Sequence, residues 1–198
     1  MIIKEDLEAL FRDDPNVYVA GDLLWYPVLG SPKIRSAPDA LVAFGRPKGY
    51  RGSYKQWEEA GIAPQVVFEV LSPGNTKKEM RGKLAFYETY GVEEYDAYDP
   101  DHGPLEGWIR DESGLKPIAN IDGFTSPRLG VTFHPGAGSD NLKIIAPDDR
   151  TFTAMVDVFI DRDAERARAD AEKRRADEAT ARAERLAARL RELGLDDD

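Results

Sequence analysis

The chain has no cysteine among its 198 residues. That excludes disulfides, a thiolate metal site and a cysteine nucleophile. Histidine is almost as scarce: His102 and His134 are too few for a histidine-rich zinc site. No apolar run approaches a membrane span, and Met1-Ile2-Ile3-Lys4-Glu5-Asp6 does not read as a secretory leader. No membrane is expected as a partner, and the cytoplasm is the expected compartment. Positive charge is in deficit too, with 27 Lys and Arg against 37 Asp and Glu and a net charge of −10. A balance of that sign argues against general nucleic-acid binding.

What the chain does have is a hydrophobic fraction of 41%, enough for a real core. Its length suits one domain with an appendage, and the composition places the division at 1–150 and 151–198. The charge is also uneven. Between Lys33 and Lys83 there are ten basic residues and five acids, which leaves that window at +5 and the remainder at −15. A basic patch around an acidic centre suits a surface that handles phosphate. A solvated charged face is the alternative.

The segment from Gln65 to Gly91 carries most of the information. Val66, Val67, Phe68, Val70 and Leu71 form a short, β-branched run bounded by Pro64 and by Ser72-Pro73-Gly74, the pattern of a central strand buried on both faces. Glu69 sits inside that run, where a carboxylate is costly unless it is paired, hydrogen-bonded or bound to a metal. Ser72-Pro73-Gly74-Asn75 signals a turn, and a helix is expected from Thr76 to Tyr90 with Gly91 as its C-cap. Met80, Leu84, Tyr87 and Tyr90 fall on one face of that helix, and Lys83 adjoins it.

A second acid, Asp39, follows Pro38 at the start of another buried-looking strand, Ala40 to Phe44. Two strand carboxylates and a lysine make a site for a hard cation, Mg²⁺ or Mn²⁺, with a positive charge beside it. Such a site can stabilise a phosphodiester as negative charge grows on it. Asp39 and Glu69 are the expected metal ligands, the carbonyl of Val70 a third oxygen, and Lys83 the catalytic cation. For Asp39 the structural alternative is a turn or capping acid. For Glu69 and Lys83 it is a mutual buried ion pair. Asp22 is a further acid near an early strand, read either as a third member of the site or as a turn residue bonded to its own backbone.

Five short elements now stand in a fixed order: Pro38-Asp39; Phe68-Glu69-Val70-Leu71-Ser72-Pro73; Lys83-Leu84 with Tyr87; Gly91-Val92-Glu93-Glu94-Tyr95; and Asp99-Pro100. In this respect the chain resembles the Uma-two-type putative restriction endonuclease family of the PD-(D/E)XK nuclease superfamily, over roughly residues 17–145. The resemblance implies an α/β restriction-endonuclease-like core, a mixed sheet flanked by helices, and a Mg²⁺-dependent endonuclease acting on nucleic acid, DNA in the first instance. The superfamily places a lysine two residues after the second acid. Here that position is Leu71, and the resemblance implies that the lysine has moved onto the next helix, to Lys83. A further departure is Asp96, where the family has an aromatic residue after the tyrosine.

The remaining expectations concern surfaces. Glu5 to Phe11 reads as a short amphipathic helix, and Val17–Ala20 with Leu23–Tyr26 as strands. The loop from Gly45 to Ala63 is basic and interleaved with Tyr50, Tyr54 and Trp57, so Arg46, Lys48 and Arg51 are candidate phosphate contacts. Trp57 is expected to pin that loop to the core. Lys77, Lys78 and Arg81 at the start of the central helix are candidate contacts to the substrate backbone. Strands from Leu105 to Arg110, Leu115 to Ala119, Leu129 to Phe133 and Leu142 to Ile145 are expected to extend the sheet as antiparallel hairpins. His102 and His134 fall in turns. From Thr151 onward a docking helix starting at Phe152 leads into a long charged helix with a weak leucine seam, consistent with a coiled coil and a homodimer. Residues 161–198 hold twelve acids and ten bases, so this is no basic DNA-binding arm. Another class of function competes with the nuclease: a fold kept without activity, serving as an oligomeric binding or scaffold protein through its C-terminal helix. An enzyme acting on a small phosphorylated substrate is a third, which a deep closed pocket would favour.

Overall fold

The computed structural model describes residues 2–72, 74–99, 105–135, 142–152 and 175. Two α-helices and ten strands occur among them: α1 (Ile2–Leu10), β1 (Val17–Ala20), β2 (Trp25–Tyr26), β3 (Ala40–Phe44), β4 (Tyr54–Lys55), β5 (Val66–Val70), α2 (Lys77–Tyr90), β6 (Glu94–Tyr98), β7 (Glu106–Asp111), β8 (Gly114–Pro117), β9 (Thr132–His134) and β10 (Lys143–Ile145). Six of the strands form one mixed sheet in the order β1-β3-β5-β6-β7-β8. Only β5 and β6 run parallel in it; its other pairs are antiparallel. This is the mixed α/β sheet with flanking helices expected of a restriction-endonuclease-like core.

The parallel pair dictates the position of the central helix. Two parallel neighbours cannot be joined by a hairpin, so the chain must cross over one face of the sheet, and α2 is that crossover. Its start is fixed by a capping box: Thr76 accepts from the Glu79 N–H while Glu79 reaches back to the Thr76 N–H. Its end is fixed by Gly91 at φ 96°, the left-handed conformation that a glycine adopts without strain. The inward stripe packs as its spacing predicts. Tyr87 is fully buried, and Met80, Leu84, Phe86 and Tyr90 cover a core built from Tyr18, Trp25, Leu41, Val67, Tyr95 and Ala97. Trp25 stacks parallel to Tyr87, with ring centroids 6.2 Å apart. The other face of the sheet buries Ala40, Val42, Val66 and Phe68, the last against Phe133.

Several expectations are corrected. β9 and β10 pair with each other and form a separate two-stranded sheet rather than extending the main one, with isolated bridges from Thr132 to Thr125 and from Ile145 to Thr151. His134 closes β9 and bonds Asp122, with 3.0 Å between Nδ1 and Oδ1. The 45–63 loop is pinned by Tyr54 rather than Trp57: Tyr54 is fully buried, its strand pairs with β2, and its hydroxyl donates to the Ile62 carbonyl at 2.9 Å. Phe152 itself is not helical, and the rest of the docking helix expected from it lies outside the described residues. Thr151 bridges Ile145, and the Phe152 N–H donates to the Ile144 carbonyl, so these two residues extend the small sheet. Arg175 apart, the long charged helix with its seam lies outside the described residues, as does His102. Among the described residues no helix is long and apolar enough to cross a membrane.

Candidate active site

The site is built by strand register. β3 and β5 are antiparallel with Ala40 opposite Phe68, so continuing by one residue sets Asp39 opposite Glu69. β1 and β3 pair Ala20 with Leu41, and the same continuation sets Asp22 beside Asp39. Three acids therefore lie in a row across three neighbouring strand ends. Opposed residues on antiparallel strands have Cβ atoms about 5 Å apart and share a face of the sheet.

Pro38 explains why the ladder stops there. Its carbonyl accepts from the Asp22 N–H at 3.0 Å. The Val70 N–H, left without a strand partner at this point, donates to Asp39 Oδ2 at 2.7 Å. A residue's N–H and C=O point to the same edge of a strand, so the Val70 carbonyl faces the Asp39 side.

Glu69 is the most constrained member. It is 3% exposed. Tyr87 donates its hydroxyl to Oε1 at 2.5 Å, and the Lys83 ammonium sits 2.8 Å from Oε2. Lys83 and Tyr87 are four residues apart on α2, the spacing that puts both over one point of the sheet. The Tyr87 hydroxyl also lies 2.9 Å from Ser36 Oγ, which ties the segment leading into Asp39 to the same cluster. Burial pushes the Glu69 carboxyl up to about 7, against the hydrogen bonds from Lys83 and Tyr87 and the Lys83 charge, which favour ionisation; the Asp39 charge adds to the rise. Burial likewise raises the Tyr87 and Tyr95 hydroxyls above the ordinary tyrosine range, and the Glu69 charge adds to both. Asp22 is exposed, with φ at 47°, and its carboxyl is raised by partial desolvation and by the Asp39 charge.

The donor set is all oxygen: two carboxylates and a backbone carbonyl. Among the described residues no cluster of three or more His, Asp or Glu side chains is arranged to hold a metal. The donors present fit Mg²⁺ or Mn²⁺, which bind through one or two carboxylates and leave the remaining positions to water and phosphate. They do not form a complete protein cage.

The other candidate contacts divide into two groups. Lys77, Lys78 and Arg81 are exposed on the first turns of α2. Arg46, Lys48 and Arg51 have internal partners. Arg46 and Arg51 both bind Glu59, Arg51 with its Nε 2.6 Å from Oε1 and its guanidinium 3.9 Å above the Tyr18 ring. Lys48 donates to the Phe11 and Arg12 carbonyls at the end of α1. Tyr50, in the same loop, is 97% exposed. Glu59 as a buried anchor has no signature in the sequence, because its arginine partners lie across a loop with no regular period. Ser36 has none either, since its link to Tyr87 spans 51 residues. A groove of about 750 Å³ between α1, β1 and the 48–51 loop contains none of Asp39, Glu69 or Lys83. It does not supply a closed pocket for a small substrate at the acidic cluster.

The mixed sheet and its crossover helix are those of a restriction-endonuclease-like fold. The chain belongs to the Uma2 family, described as putative restriction endonuclease, whose model matches residues 3–137. Among solved structures it is similar to a putative nuclease belonging to DUF820 from Anabaena variabilis, at 15% identity and a TM-score of 0.44. The similarity spans 63% of this chain and 66% of that one, just under two thirds of its length. Comparison with curated proteins gave no match.

Proposed function

We propose that this protein is a cation-dependent endonuclease that hydrolyses phosphodiester bonds of nucleic acid, with DNA as its substrate. One observation carries the reading: Asp39 and Glu69 occupy facing positions on adjacent strands, with the Lys83 ammonium 2.8 Å from Glu69. Asp39, Glu69 and the Val70 carbonyl would hold Mg²⁺ or Mn²⁺. When bound, that cation would polarise the scissile phosphate and make a water molecule more acidic. Lys83 donates to the attacking water or to a phosphate oxygen as charge develops there. Lys77, Lys78 and Arg81 hold the phosphate backbone, and Tyr50 offers an exposed ring for stacking.

A second reading has its own support. Glu69 and Lys83 close on each other, which suits a nuclease fold that has lost its activity and acts as an oligomeric binding or scaffold protein. Incubation of purified protein with supercoiled DNA, linear DNA and RNA separates the two. The nuclease predicts cleavage of DNA that requires Mg²⁺ or Mn²⁺ and is lost in Asp39→Asn. No cleavage of any substrate with either cation contradicts it and favours the scaffold.

A further inference from the structure

We propose that Lys83 and the cation compete for one oxygen of Glu69, so that cation entry displaces Lys83. This rests on the reading of Glu69 as a cation ligand. The two oxygens of Glu69 have unlike partners. Oε1 is held by the Tyr87 hydroxyl, and Tyr87 cannot move aside. Its ring is fully buried, stacks on Trp25, lies 5.0 Å from Tyr95, and its hydroxyl is tied to Ser36 as well. Oε2 is held by Lys83, whose side chain is 27% exposed on the same helix. A lysine is a point charge on a flexible stem and can swing to solvent at little cost. One side of the carboxylate is therefore fixed and the other is displaceable.

Asp39 faces Glu69 across the strands, its Oδ2 held by the Val70 N–H, and is on hand to share the incoming charge. In the absence of the cation, Lys83 neutralises a carboxylate that would otherwise be buried without a counter-charge. With the cation bound, that task passes to the metal. The ammonium is then free to reach a water or a phosphate oxygen. Lys83 thus keeps the resting site closed and becomes available for chemistry only when the site is loaded.

The test uses Mn²⁺ alone as the probe. Calorimetric titration into the full chain should show Lys83→Met binding roughly tenfold more tightly than wild type, because the competitor is gone. Lys83→Arg should return the affinity toward that of wild type. A second arm needs no substitution: the acetylation rate of Lys83 in the wild-type chain, read by mass spectrometry, should rise several-fold when Mn²⁺ is added. If wild type binds Mn²⁺ but Lys83→Met binds no tighter, or if Mn²⁺ leaves Lys83 acetylation unchanged, the competition is refuted while the cation site stands. If wild type and Glu69→Gln are alike in failing to bind Mn²⁺, the cation site falls and the competition falls with it.

Discussion

Glu69 and Asp96 stand on neighbouring parallel strands, and the register pairs Glu69 with Ala97 and Phe68 with Asp96, so the two acids point to opposite faces of one sheet. Both are buried, at 3% and 2% exposure. Glu69 meets a tyrosine hydroxyl and an ammonium. Asp96 lies with Ile118 and Ile121 beside Gly107, and its Oδ2 has no hydrogen-bond partner among the described residues. Burial raises both carboxyls, Glu69 to about 7 and Asp96 well above its ordinary range, with the Glu94 charge adding to Asp96. Depth therefore does not make a site. A buried acid becomes a candidate ligand when its surroundings can support its charge, and of these two only Glu69, on the face covered by α2, has such surroundings.

Activity should separate the two acids most sharply. Glu69→Gln should lower DNA cleavage by roughly 10³-fold, the scale of losing the principal transition-state charge stabiliser. Asp96→Asn should leave cleavage within a few-fold of wild type in the same assay. Equal losses in the two variants would mean that Glu69 matters only for folding.

The next largest effect is on stability against pH. A carboxyl whose folded pKa is raised binds its proton more tightly in the native state. Its contribution is complete below the unfolded value of about 4.5 and is lost as pH rises through about 7. For Glu69 the loss amounts to about 3 kcal/mol across that window. Urea denaturation of the metal-free protein should show wild type losing stability relative to Glu69→Gln as pH rises, and a constant difference would contradict the assignment. Asp96, shifted in the same direction, should add to the loss as pH rises above the ordinary aspartate value of 3.8, and Asp96→Asn should remove that part.

Tyr87→Phe keeps the stacked ring and deletes the donor to Glu69. It should cost about 2 kcal/mol in denaturant unfolding, the range for a hydrogen bond to a charged or buried group. A change below about 0.5 kcal/mol would mean that the contact contributes little. The smallest effect is expected for Asp96→Asn in acid, below the ordinary aspartate value of 3.8, where the carboxyl is protonated in the folded and the unfolded chain alike. An amide there replaces a neutral group, so stability should move by no more than about 1 kcal/mol.

The parts of this arrangement that are legible in the sequence are those with local signals. Glu69 stands out as the one acid in a β-branched run. Thr76 and Gly91 mark the ends of α2, and the spacing of Met80, Leu84 and Tyr87 defines its buried face. That same spacing places Lys83 and Tyr87 beside the strand end. Features that stay hidden depend on partners far away in the chain. Nothing near Ser36 points to Tyr87, nor anything near Glu59 to the two arginines that bind it. The separate β9–β10 sheet is illegible because hydrophobic alternation identifies a strand without saying which sheet it joins. Asp96 departs from the family pattern in the sequence, but only the structure shows its buried Oδ2, without a hydrogen-bond partner among the described residues, and the isoleucines Ile118 and Ile121 alongside.

Whether Glu69 holds a cation is decided by calorimetric titration of Mn²⁺ and Mg²⁺ into wild type and Glu69→Gln. Saturable binding to wild type is expected, abolished in the variant while the variant remains folded. Binding of equal affinity in both, or none in wild type even with DNA present, would contradict a cation site on Glu69.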